Sequence, residues 1–280
     1  MSTFPDIIIY TSGSKADVGY LKGFAELFGL PAERIEYQRL AEPAPALVAE
    51  AARRLDEERA RRPFGVPEVW VLFSREGEPD FQSACSEARM RGLKLAVSSP
   101  VAELWYLQHL TDAYPGSAEV CGELEGTVSS VTTMKRMRSS DGVMRMQKKT
   151  VTVTLHRIIS DGEAVRTMVN ALSGGFKKSG RDLAPKLTAV PGGLARAFAA
   201  NDGKDPVKLR RASGMPALLL RLLLLKYPDE AEARRLIDRV TPEAFERLKA
   251  RRAAAAGKAG GKAKSKSKAG GKKKNRRSDK

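Results

Sequence analysis

Short apolar runs alternate with amphipathic stretches through the first 110 residues. The unbroken apolar centre of "DIIIYT" (6–11) predicts a buried strand. "RIEYQRL" (34–40), "EVWVLF" (68–73) and "LKLAVS" (93–98) predict three more. Between them, "SGSKADVGYLKGFAELFG" (12–29) reads as a turn opening a helix that closes at Gly29. A second helix is entered at Pro43 and stopped by Pro63, and a third, "DFQSACSEARMRG" (80–92), ends at Gly92. "PVAELWYLQHL" (100–110) predicts a fourth helix with proline in its first turn, where the missing N–H costs nothing. Strands separated by helices of this length imply parallel pairing with crossover helices, hence an open α/β sheet. In such sheets the functional crevice lies beyond the carboxyl ends of the strands, here residues 12–17, 74–80 and 98–103.

The pattern changes after residue 113. Residues 126–162 are rich in β-branched side chains and centred on Asp141-Gly142, a signal for a hairpin with a two-residue type I′ turn. Near that turn the two arms carry Lys135, Arg136, Arg138, Arg145, Lys148 and Lys149. Like charges opposed across the arms repel unless an anion lies between them or the tip is fully solvated. A nucleic-acid-contacting ribbon and a solvated tip both fit. From 163 to 250 the pattern is helical, with a last helix capped by Thr241 and opened by Pro242. The organisation expected is therefore an α/β unit (1–113), a linker and basic hairpin (114–162), a helical region (163–250) and a tail (251–280).

Charge sharpens this division. The tail holds thirteen Lys or Arg against one Asp, a net of +12 out of +17, which leaves the first 250 residues at +5. Lys, Gly, Ala and Ser without apolar periodicity cannot offset the entropy of ordering, so disorder is predicted there. Such tails bind polyanions through counterion release, and they also serve solubility alone. Two cysteines and two histidines give neither a disulfide framework nor a zinc spacing, which predicts reduced thiols and a cytoplasmic protein. The N-terminus lacks the pattern of a signal peptide. The run "MPALLLRLLLLKY" (215–227) is interrupted by Arg221 and too short to span a bilayer, so a buried helix and no membrane association are expected.

Three stretches together carry a resemblance. "IIIYTSGSKADVGYLKGF" resembles the opening of RloB-like proteins, where a strand ends in Glu-Gly and runs into a helix containing Tyr. "VWVLFSREGEPDF" and "LKLAVSSPVAELWYLQH" resemble the same family's centre. There a strand ends in Asp-x-Asp, and a later one leads to Ser-Asn-Pro, Glu-x-Trp and a His. The resemblance covers roughly residues 6–110. It implies a Toprim-like open sheet, Mg²⁺ held by strand-end carboxylates for phosphodiester chemistry on RNA or DNA, and for some members a role in restriction or phage defence. Carried over by position, Ser12 stands at the Glu, followed by the matching Gly13, and Ser74 and Glu76 stand at Asp-x-Asp. Pro100, Glu103, Trp105 and His109 match the later motif, with Ser99 in place of its Asn.

Two of three expected metal carboxylates are thus serines. A carboxylate about 4 Å from a divalent ion gains very roughly 8 kcal/mol at an effective dielectric of 20, before desolvation. A hydroxyl offers only a dipole, so the substitutions imply a weak or absent hold on Mg²⁺. Two rescues present themselves. The metal acids can have shifted along the loop, where Glu76, Glu78 and Asp80 form an E-x-E-x-D series, with Asp17 the acid later in the first loop; or Glu103 and His109, with Glu76, can supply acid–base chemistry. Loop acids of this kind also serve as helix caps, and Trp105 and His109 as core. Separately, the backbone of Ser12, Gly13 and Lys15 at a helix start suits a phosphate without metal.

Three functions follow. The first is a divergent metal-dependent nuclease, acting with a partner protein from the same locus. The second is a non-catalytic nucleic-acid-binding protein. The third is an assembly protein whose leucine-rich helix forms an oligomer interface.

Overall fold

The computed structural model describes residues 4–13, 15–62, 64–110, 128–138, 144–154, 186–187, 192–209 and 212–239, with Gly162, Val165, Arg166, Val169 and Val190. The Asp141-Gly142 turn, Cys121, the helix predicted from Thr241 and the Lys-rich tail lie outside these residues.

A four-stranded parallel sheet has the order β2-β1-β3-β4, with β1 Ile7–Thr11, β2 Ile35–Arg39, β3 Glu68–Leu72 and β4 Lys94–Leu95. Every position of β1 is buried because helices cover both faces. Side chains alternate across a strand, so the run of isoleucines serves two cores. Ile7 and Ile9 join one with Trp70 and Leu72. Ile8 and Tyr10 join the other with Val69 and Val71. The second core is completed by α2 (Ala44–Arg61), through Leu47, Val48, Ala51 and Leu55, and by α3 (Phe81–Met90), through Phe81 and Cys85. Cys85 is a buried free thiol whose pKa burial pushes up to about 11, which makes it inert at neutral pH.

The first core gathers α1 (Lys15–Phe28), α4 (Glu103–Leu110) and three helices from the second half of the chain. These are α5 (Gly193–Ala199), α6 (Met215–Leu223) and α7 (Glu230–Asp238). The leucine-rich run is α6, with Leu218, Leu219, Leu222 and Leu223 fully buried inside this chain. Arg221 leaves the apolar face and donates to Glu68 at 2.7 Å. The helix is therefore spent on its own core, which removes the reason for assigning it to an oligomer interface. No helix among the described residues is long and apolar enough to cross a membrane.

Residues 94–98 run on beside β3: beyond β4 the Ala96 N–H donates to the Val71 carbonyl, the Ser98 N–H donates to the Phe73 carbonyl, and Ser98 bridges in parallel to Ser74. At this end β5 (Ser98–Ser99) also pairs antiparallel with β8 (Ala212–Ser213). Helix α4 begins at Glu103, beyond Pro100. The intervening backbone is committed to the loop after β3. The Pro100 carbonyl accepts from the Glu76 N–H at 3.0 Å, and the Ala102 N–H donates to Ser74 Oγ at 3.0 Å.

Strands β6 (Val128–Arg138) and β7 (Met144–Thr154) form an antiparallel ribbon of their own. Its register differs from the one expected. A two-residue turn at 141–142, continued regularly, would set Arg138 opposite Arg145. The ladder instead pairs Arg138 with Met144 and Arg145 with Met137. Each of the six basic residues faces Met, Thr or Gln, so no two cations are directly opposed.

Candidate strand-end crevice

From β1 the chain moves outward to β2, then returns to the other side of β1 as β3. The sheet therefore reverses its winding between β1 and β3, the place where open sheets leave a crevice. A cavity of about 690 Å³ opens there. Ser12 and Gly13 from the end of β1 line it together with Ser74, Glu76 and Glu78 from the loop after β3, and with the entry to α2 at Glu42 and Pro43. Three positions far apart in sequence, 12, 74 and 76, thus reach one crevice. The ties are specific: the Ser12 N–H donates to the Leu72 carbonyl, and Ser74 bridges to Ser98.

Of the four carboxylates that line this crevice, Glu76 and Glu78 are engaged by protein groups. Glu76 Oε2 lies 2.8 Å from Arg166 Nη1, with both side chains about 40 % exposed, so the pair is screened and modest in strength. A Cβ on Gly162 would come within 2.3 Å of Glu76 Oε2 and 2.5 Å of Val101, so the backbone there is pressed against the crevice wall. Glu78 Oε2 accepts from the Ala44 N–H at 2.9 Å and caps α2 across the cavity. The capping role expected of the loop acids is therefore real for Glu78, on α2 in place of the adjacent α3.

Asp17 is almost fully buried and accepts from the Tyr106 hydroxyl at 2.7 Å. It also sits against Gly13, where a Cβ would meet Asp17 Oδ2 at 2.1 Å. Burial, followed by the Asp17 charge, holds the Glu103 carboxyl above the ordinary range. Burial and then Asp17 likewise push the Tyr106 hydroxyl well up, which keeps it a proton donor.

These residues do not fit a bound Mg²⁺. The ion needs several oxygens in octahedral array. Asp17 is turned to Tyr106, Glu78 to α2 and Glu76 to a guanidinium, while Ser12 and Ser74 are neutral. Among the described residues no group of three His, Cys, Asp or Glu is placed to hold a metal ion.

Two of the backbone N–H groups expected to cradle phosphate, those of Ser12 and Gly13, are spent. The Ser12 N–H goes to Leu72, the Gly13 N–H donates to Thr11 Oγ1 at 2.9 Å, and the Gly13 carbonyl accepts from Arg39 Nε at 2.9 Å. Lys15 opens α1 on the exposed surface. Glu42, Glu76, Glu78 and Asp80 further make the crevice unfavourable to a phosphate. Arg75 does not line it; its guanidinium lies 4.6 Å from the Phe81 ring centroid and donates to the Val207 carbonyl.

His109 lies outside the crevice. It is fully buried, its Nε2 is 3.4 Å from the Tyr20 hydroxyl, and its ring meets Trp105 edge-on. Burial lowers its pKa to about 3, so it is neutral at physiological pH, and it is not among the residues lining the crevice. Trp105 is fully buried core beside it. Arg166, Gly162 and the Asp17–Tyr106 bond were not singled out from sequence. The spacing of Gly162, Val165, Arg166 and Val169, with the two valines fully buried, is the one-faced helical signal that could have exposed the first two.

The family model described as RloB-like protein matches residues 7–166. That span takes in the sheet, the crevice and the β6–β7 ribbon and ends at Arg166. Neither a curated protein nor a solved structure matches the chain.

Proposed function

The chain belongs to the RloB-like protein family, and from that premise we propose that it binds nucleic acid without metal-dependent phosphodiester cleavage. The observation that carries this reading is that three of the acids expected to hold the ion are committed elsewhere in the protein, Glu76 to Arg166, Glu78 to Ala44 and Asp17 to Tyr106. Binding is supported by the six cations of the β6–β7 ribbon and by the +12 tail, since neutralised phosphates release counterions. A Toprim-type origin of the sheet, a role in phage defence, a cytoplasmic location and a partner from the same locus belong to this proposal.

The direct test incubates the full chain with labelled RNA and DNA in Mg²⁺ or Mn²⁺, beside Glu76→Ala. Retarded but intact substrate is the expected result. Metal-dependent cleavage by the wild type that disappears in Glu76→Ala would restore the nuclease.

Glu103 favours a second reading. A carboxyl held above its ordinary range beside a crevice is suited to general acid catalysis. That reading requires cleavage that persists in EDTA and is lost in Glu103→Gln.

A further inference from the structure

The β6–β7 ladder has eleven rungs, from Val128–Thr154 to Arg138–Met144. Residues opposed on an antiparallel ladder share a face, and successive rungs alternate between faces. The five rungs far from the connecting loop hold only Val, Ser and Thr. Each of the six rungs nearest it, Thr133–Lys149 to Arg138–Met144, holds one cation and never two. Alternation then divides the six equally. Lys135, Arg145 and Lys149 occupy one face, and Arg136, Arg138 and Lys148 the other. Over about 17 Å of ladder both faces are cationic to the same degree.

This distribution discriminates among nucleic acids. A sheet that binds single strands presents one face and stacks bases on aromatic side chains. Residues 128–154 contain no Phe, Tyr or Trp. A ribbon lying on a phosphate surface would also need cations on one face only. Cations on both faces suit a slot with a phosphate wall on either side. The major groove of B-form DNA, about 12 Å wide, admits a two-stranded ribbon. The deep, narrow major groove of an A-form RNA duplex does not.

Resting on the nucleic-acid reading above, we propose that the cationic half of the β6–β7 ribbon enters the major groove of B-form duplex DNA, with one phosphate wall against each face. Fluorescence anisotropy of the full chain with duplex DNA, single-stranded DNA, duplex RNA and single-stranded RNA, between about 50 and 200 mM salt, tests it. Duplex DNA should bind at least about tenfold tighter than the other three. Two triple variants, Lys135→Ala/Arg145→Ala/Lys149→Ala and Arg136→Ala/Arg138→Ala/Lys148→Ala, should each reduce the slope of log K against log salt by about 3. The tail is common to all and cancels in the difference.

A measurement on the unmutated protein guards against a misfolded ribbon. Duplex DNA whose major groove is filled by glucosylated hydroxymethylcytosine should bind about tenfold more weakly, while a minor-groove ligand should leave binding unchanged. Equal affinity for single strands or duplex RNA, loss carried by one face alone, or indifference to the filled groove would each overturn the groove proposal while leaving nucleic-acid binding intact. Absence of binding to all four would remove both.

Discussion

Asp17 and Tyr106 come from helices 89 residues apart in sequence and meet in a buried hydrogen bond of 2.7 Å. An Asp whose side chain is almost excluded from water depends on such donors, because an unpaired buried acceptor bears its full desolvation cost. Tyr106→Phe should therefore destabilise the fold by about 1–3 kcal/mol, measurable by urea unfolding. Glu103 behaves in the opposite sense. Its folded-state pKa is raised, chiefly by burial, so its contribution to stability is fully present below about pH 4.5 and is lost as pH rises through the raised value. Glu103→Gln should match the wild type in acid and have the higher Tm near pH 7.5. A lower Tm at pH 7.5 would show that the charged form is the one the fold favours.

At this scale the sequence told part of the story. The replacement of strand-end acids by Ser12 and Ser74 could be read directly, as could the core role of Trp105. Which partner takes each acid could not, because Arg166 meets Glu76 and Tyr106 meets Asp17 through tertiary packing that no local pattern encodes. His109 could be read either as chemistry or as core, and its full burial between Tyr20 and Trp105 decides for core.

Among the elements, α6 shows how packing resolves an ambiguous apolar run. Its leucines fill the first core over α1 and the sheet, and its entry is held by close backbone approach. A Cβ on Gly214 would meet Ala96 Cα at 2.9 Å and Val97 N at 3.1 Å, where nothing flexible can yield. Leu219→Ala should cost about 2–5 kcal/mol, and Gly214→Ala should destabilise as well, both read by denaturant unfolding. An oligomer that dissociates in Leu219→Ala without loss of stability would return α6 to an interface role.

The parallel strands and the helices between them were legible because their periods are distinct and their ends are marked by Pro43, Gly29 and Gly92. The second pairing of β5 was not. "LKLAVS" reads as a strand and runs beside β3, but β8, which also pairs with its end, lies more than a hundred residues later. The hairpin was legible as a hairpin, but its register, which pairs Arg138 with Met144, was not the one the Asp-Gly signal predicts.

At the scale of the described residues, the first of the two cores joins the N-terminal sheet to helices from the far half of the chain, while thirteen Lys and Arg fall in the last thirty residues of the sequence. Truncation after Ala250 removes thirteen cations and should lower non-specific nucleic-acid affinity and its salt slope without shifting Tm. An unchanged slope between about 50 and 200 mM salt would deny the tail that role. The RloB-like match reaches through the ribbon to Arg166, beyond residue 110 where the resemblance stopped in the sequence alone. The Lys- and Arg-bearing arms hold few residue types a motif can fix, although their pairing is regular.

Residues 12, 74 and 76 meet in one crevice where serines stand at two expected metal positions and Glu76 and Glu78 are already partnered by protein groups. Calorimetric titration of Mg²⁺ into the full chain at neutral pH tests this most directly. The prediction is no saturable uptake below about 1 mM, in wild type and Glu76→Gln alike. Stoichiometric binding at about 10 μM or tighter that vanishes in Glu76→Gln would contradict it.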